Sequence, residues 1–212
     1  MDEPNPLRAA IIEGDWKTAA AATRTALAAG LTPLTLVTEH LVPAMDEVGR
    51  LFECEEYFVP EMLLSARAMK ASMEIVRPLL AASGAEPAGR VVIGTIKGDL
   101  HDIGKNLVSA MLEGGGFEII DLGADVSPER FIQAATSRNA NLVALSALLT
   151  VTIPAMKTTI QAFEAAGVRN QVKIMVGGAP VTQQYAEEIG ADGYSGTAFA
   201  AVALARKLMG HK

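Results

Sequence analysis

The chain has 212 residues, half of them hydrophobic and a fifth charged, the composition of a folded globular protein of one or two domains. Lysine and arginine number 18 against 24 acidic residues, and the formal charge of −6 argues against a general nucleic-acid or membrane-surface binder. A single cysteine, Cys54, excludes an intramolecular disulfide framework and a cysteine-based zinc cluster, and 5% aromatic content disfavours platforms for stacking bases.

The first residues, Met1 to Pro6, are polar, carry two acids and lack a basic segment followed by an apolar core. No apolar run approaches the roughly 18 residues of a membrane span. The expectation is a cytoplasmic protein without a secretory leader. Up to about residue 82 the apolar spacing is helical. A first helix is expected over 7–13. Asp15 caps a second over 16–29, closed by Gly30. Thr32-Pro33 opens a third that runs to about Phe52, with a kink or break expected at Pro43. A fourth runs from Val59 or Pro60 to Leu80. Short loops between four helices predict an antiparallel bundle over 1–82.

The stretch 83–89, Ser-Gly-Ala-Glu-Pro-Ala-Gly, reads as an interdomain linker. Strands are then expected over 90–96, 117–121, 142–146, 173–176 and 193–195. Helices are expected over 103–113, 128–137, 153–166, 181–189 and 198–209. Five strand–helix units over 90–212 predict a doubly wound, flavodoxin-like parallel sheet of five strands, so the fold class is α + α/β. Ligands of such sheets bind beyond the carboxyl ends of the strands, which directs attention to the loops after strands one, three and four.

The loop after the first strand is the informative one: Lys97-Gly98-Asp99-Leu100-His101-Asp102-Ile103-Gly104-Lys105. Asp99 lies two residues before His101, close enough to accept a hydrogen bond from one imidazole nitrogen and leave the other as an acceptor for a metal. Gly98 and Gly104 remove side chains where a bulky ligand would approach the backbone. The helix opening at Ile103 offers unpaired N–H groups to an anion. One histidine without a second histidine or cysteine nearby does not hold bare zinc, but it serves as an axial ligand to a metal held in a macrocycle. Lys97 and Lys105 are open to two readings, neutralising a phosphate or standing in solvent. His40 reads as a half-exposed bundle residue, and the acids Glu53, Glu55 and Glu56 as a solvated face.

Asp99-x-His101-x-x-Gly104 resembles the cobalamin-binding motif of methionine synthase and of the corrinoid proteins of methyltransferase systems. Ser146-Ala147-Leu148 resembles the Ser-x-Leu of that family after strand three, and Gly177-Gly178 its Gly-Gly after strand four. In the helical half, Val42-Pro43-Ala44-Met45-x-x-Val48-Gly49-x-x-Phe52 and Glu56-Tyr57-Phe58-Val59-Pro60-Glu61 resemble the family's helical cap. The resemblance implies that His101 replaces the cofactor's own base as the lower cobalt ligand. It further implies that Asp99 tunes His101, that Thr152 extends the relay where the family often has serine, and that Gly98, Asp102, Ile103, Gly104 and Leu148 belong to the same cradle. Ser146 and Thr150 would hydrogen-bond the displaced base, Gly177 and Gly178 would leave it room, and Phe58 and Met62 would shield the methyl-bearing face.

The function so implied is a non-catalytic corrinoid carrier. It would accept a methyl group on Co(I) from a substrate-specific methyltransferase. It would pass that group from Co(III) to a second methyltransferase serving tetrahydrofolate or coenzyme M, with a reductive activase as a further partner. The cofactor would be methylcobalamin or a related corrinoid. Methylamines, methanol, methylated thiols, aryl methyl ethers and betaines stay open as donors. The alternative is a cobalamin-binding sensor or regulatory module; the chain has no residues left over for a DNA-binding domain.

Overall fold

A computed structural model describes residues 5–83 and 87–210. Residues 84–86 of the expected linker, and His211, lie outside the described residues. The chain divides into two compact units, residues 1–87 and 88–212, except that 113–116 group with the first.

The first unit is helical: α1 (Pro6–Ile12), α2 (Trp16–Ala28), α3 (Pro33–Thr35), a π-helical segment (Leu36–Leu41), α4 (Val42–Glu53) and α5 (Val59–Ser83). Each of the first three starts is capped by a side chain that accepts from orphan backbone N–H groups. Asn5 accepts from Leu7 and Arg8, Asp15 from Lys17 and Thr18, and Thr32 from Thr35. At the other end of α1 the carbonyl of Ile12 has no helical partner. It accepts from the Tyr57 hydroxyl at 3.1 Å and the Ser65 hydroxyl at 2.9 Å, which ties α1 to the turn before α5 and to α5 itself. Leu41, the last residue of the π-helical segment, and Ala44, Met45 and Val48 of α4 form a buried stripe at the helical spacing i, i+3, i+4, i+7.

At Pro43, where a kink or break is expected, the helix does not end. Leu41 and Val42 keep helical dihedrals, and the helix instead widens by a π turn, the Val42 N–H bonding to the Val37 carbonyl five residues back. A proline has no N–H to give and its ring collides with the carbonyl four residues earlier, so the widened turn is what lets the helix run through. Pro78 likewise lies inside α5, which continues past it to Ser83.

The second unit holds β1 (Arg90–Thr95), α6 (Ile103–Gly114), β2 (Glu118–Asp121), α7 (Pro128–Ser137), β3 (Leu142–Ser146), α8 (Pro154–Ala165), a 3-10 turn (Arg169–Gln171), β4 (Lys173–Gly177), α9 (Gln183–Glu188), β5 (Gly193–Ser195) and α10 (Ala198–Leu208). The strands pair in parallel in the order β2-β1-β3-β4-β5, the flavodoxin-like order expected from the alternating pattern. The central strands β1 and β3 are buried along nearly their whole length, while edge strand β2 is not, which is why the central strands read as unbroken apolar runs. Phe131 of α7 and Phe163 of α8 pack fully buried in the core with Val92, Ile96, Val143 and Ile174. Gly94 makes this possible, since a Cβ there would lie 2.8 Å from the Phe131 ring.

Candidate functional site

Strand order reverses between β1 and β3. Their following loops therefore diverge and open a crevice at the carboxyl edge. The residues singled out in the first and third loops meet there. Asp99, on the β1–α6 loop, is fully buried and accepts five hydrogen bonds. Oδ1 takes the His101 backbone N–H at 3.0 Å and His101 Nδ1 at 2.8 Å. Oδ2 takes the backbone N–H groups of Leu148 at 2.8 Å and Leu149 at 3.1 Å, and faces the Thr152 hydroxyl at 2.8 Å. Burial alone would push the Asp99 carboxyl up. The bonds from Leu148, from the His101 backbone and ring, and from Thr152 outweigh it and hold the carboxyl well below the usual aspartate range.

An ionised carboxylate only accepts, so His101 Nδ1 carries the proton and Nε2 presents a lone pair. The His101 side chain is 49% exposed, so that lone pair is within reach of a ligand. The imidazole is held at its base as well, since the buried Thr95 hydroxyl donates to the His101 carbonyl at 3.0 Å. The Thr152 hydroxyl lies 2.8 Å from both Asp99 Oδ2 and the Leu149 carbonyl, so its one proton has two alternative acceptors.

Around His101 the loops expose apolar side chains that a folded chain ordinarily buries. Leu100, Ile103 and Val151 are each at least three-quarters exposed, and Leu148 and Leu149 are open to solvent as well. Gly104 faces open space, and a Cβ there would meet nothing within 4 Å. Thr150 is exposed and Ser146 half-buried at the end of β3. Asp102 accepts from the Asn106 side chain at 3.1 Å, across the first turn of α6.

Other expectations take a different form. Gly177 and Gly178 are demanded by the protein's own backbone. A Cβ on Gly178 would sit 1.8 Å from the Ala147 carbonyl oxygen, with φ at +132°, and one on Gly177 would lie 2.8 Å from that of Ser195. Neither Lys97 nor Lys105 stands free. Lys97 pairs with Asp125, and Lys105 is buried with its ammonium on Asp121 and Asn106. Phe58 and Met62 separate, Phe58 being 61% exposed and Met62 wholly buried in the bundle core; the methionine therefore offers no surface to a ligand. His40 is half-buried, with Nδ1 2.9 Å from the Asn5 side-chain nitrogen. Sequence reasoning missed Thr95, Asp125 and the Lys105–Asp121 pair. No local motif marks them, because their partners lie on other strands and loops.

One ring nitrogen, fixed in direction and surrounded by apolar side chains, suits a metal that arrives already held in a macrocycle; a bare ion asks for more ligands. Among the described residues no group of three or more His, Cys, Asp or Glu is placed to supply them. The class that the fold defines is a doubly wound parallel sheet with its candidate site at the switch in strand order. The family described as "B12 binding domain" matches residues 89–203, and a second family of the same description matches residues 5–77. The chain is 42% identical to dimethylamine corrinoid protein 1 of Methanosarcina acetivorans over 84% of each chain. It is 41% identical to trimethylamine corrinoid protein 1 of the same organism over 94% of each. Its structure resembles that of the methanol:cobalamin methyltransferase complex MtaBC from Methanosarcina barkeri, with a TM-score of 0.86 at 29% identity, covering 98% of this chain and 79% of that one. The chain belongs to the B12-binding corrinoid proteins. No helix among the described residues is long and apolar enough to cross a membrane.

Proposed function

We propose that this protein is a methyl carrier that holds a corrinoid through His101 and serves two methyltransferases in turn. The observation that carries the reading is the buried Asp99 carboxylate, which fixes the tautomer of His101 and leaves Nε2 free at the sheet's switch point. Bound cobalamin supplies a cobalt centre able to take up and release a methyl group. The chain's residues do the rest. His101 would hold the cobalt through Nε2. Asp99 fixes the direction of the ring and, with Thr152, would hold the proton on Nδ1 while Nε2 ligates. Leu100, Ile103, Leu148, Leu149 and Val151 supply apolar surface that excludes water. Gly98 and Gly104 keep that surface free of side chains, Asp102 steadies the start of α6, and Ser146 and Thr150 would offer hydroxyls to the base of a bound corrinoid. Phe58 is an exposed aromatic of the bundle, available to shield a bound methyl group.

The relatives are named for dimethylamine and trimethylamine and the complex for methanol, so the names differ in the small methylated compound. The donor is therefore selected by the partner methyltransferase. The second methyltransferase serves tetrahydrofolate or coenzyme M, and a reductive activase restores the carrier.

The test is reconstitution with methylcobalamin followed by EPR of the cobalt(II) state. Nitrogen coupling from His101 is expected in the parent, and in His101→Ala it should vanish or be replaced by coupling from the cofactor's own base. Coupling identical in parent and variant would overturn the ligand assignment.

A further inference from the structure

The loop that carries Asp99 and His101 is held from two sides, and only one belongs to the motif. On one side the Asp99 carboxylate bonds to the β3–α8 loop. On the other stands Asp125, on the β2–α7 loop. Its Oδ1 accepts the Gly98 N–H at 2.8 Å, and its own N–H donates to the Asp99 carbonyl at 2.9 Å. Its carboxylate also pairs with Lys97 at 2.9 Å. Bonds to Gly98 and Lys97 keep the Asp125 carboxyl below its ordinary value. Asp125 adopts φ +55°, one of three described non-glycine residues with positive φ. That conformation is strained for a residue with a side chain and persists only where surrounding bonds offset it. Gly98 has φ +84° and would otherwise leave the loop free to pivot about the Asp99 carboxylate.

The geometry points to Asp125 as a positioning residue for His101: two bonds across to the neighbouring loop set the Asp99–His101 pair before a cofactor arrives. This rests on the ligation by His101 proposed above. The Lys97 ion pair is a minor part of the clamp, because both side chains are largely in solvent, at 58% and 41% exposure. The bond to the Gly98 backbone does the holding.

Two variants separate these contributions. Asp125→Gly removes the acceptor yet fits the positive φ without strain. Asp125→Asn keeps an oxygen for Gly98 and gives up the charge. The first measurement is hydrogen exchange of the His101 Nδ1–H, read by NMR in the cofactor-free protein. The second is the Kd for cobalamin, read from the visible spectrum. Asp125→Gly should exchange about 10-fold faster and bind about 10-fold more weakly, the scale of an outer-sphere loss at a metal site. Asp125→Asn should stay within about 3-fold of the parent on both, since its amide oxygen can still accept the Gly98 N–H. Lys97→Met should behave like Asp125→Asn. Parent-like exchange in Asp125→Gly, even with a lowered melting temperature, overturns the proposal and leaves Asp125 a stabiliser of the loop only. Equal damage from Lys97→Met and Asp125→Gly overturns it also, since charge would then be the agent. A parent holoprotein without histidine nitrogen coupling would sink the ligation reading instead, while the exchange rates judge Asp125 independently of it.

Discussion

Asp99 is asked to satisfy five donors with two oxygens, and an amide in its place cannot. In Asp99→Asn the oxygen is expected to stay with Leu148, Leu149 and Thr152, turning the NH2 toward His101. The ring must then accept at Nδ1 and carry its proton on Nε2, which removes the lone pair that ligates. Cobalamin affinity should fall about 10–100-fold, with weakened nitrogen coupling, at a stability cost of roughly 1–3 kcal/mol. The same carboxyl makes a pH prediction. Its folded value lies below the 3.8 of an ordinary aspartate, so its contribution to stability is complete at neutral pH. That contribution is lost as pH falls below about 4 and through the lower folded value. Urea unfolding followed from pH 6 to pH 3 should therefore decline less steeply in Asp99→Asn than in the parent.

Two glycines that look alike in the sequence differ at this scale. Gly104 faces open space at the start of α6, so nothing in the protein itself asks for glycine. Gly104→Ala should leave the cofactor-free protein as stable as the parent or slightly more so, by up to about 1 kcal/mol of helix propensity. It should weaken cobalamin binding where the new methyl meets the ligand. Gly178→Ala should destabilise the cofactor-free protein by about 3 kcal/mol or more, because the new Cβ would meet the Ala147 carbonyl oxygen in a left-handed backbone. Denaturant titration of the two cofactor-free variants checks both.

Among the elements, α1 is short and depends on tertiary bonds. Its last carbonyl, Ile12, accepts from Tyr57 and Ser65 together. Tyr57→Phe or Ser65→Ala alone leaves one donor in place and should cost about 1 kcal/mol. Both together orphan the carbonyl, and the pair should cost more than the sum of the singles in a double-mutant cycle read by thermal unfolding. The apolar spacing of the third helix is legible from Thr32 to Phe52, and the π turn that carries it past Pro43 is not. Apolar period reports which face is buried, whereas the hydrogen-bond register is chosen by where a proline ring fits.

For the molecule as a whole, the two units each carry their own buried residues. On the proposed domain limits, residues 83–212 expressed alone should unfold cooperatively and bind cobalamin, more weakly than the full chain. Circular dichroism melts and a visible-spectrum titration would check this. A fragment that folds but takes up no cobalamin would place an essential binding group in the first 82 residues.

The amino-acid sequence by itself determined the order and kind of elements, because helical and alternating periods, caps such as Asp15 and Thr32, and glycine-marked turns are local properties of the chain. It also determined the motif Asp99-x-His101-x-x-Gly104, whose spacing lets a carboxylate reach a nearby imidazole. Only the tertiary structure decided which distant groups complete that pair. Leu148, Leu149 and Thr152 come to Asp99 across about 50 positions, and Asp125 comes to Gly98 across 27, because a parallel sheet aligns the carboxyl ends of strands far apart in the chain. It likewise decided that Lys105 is buried on Asp121 and that Gly178 must yield to Ala147, since close approach between loops leaves no trace in local spacing.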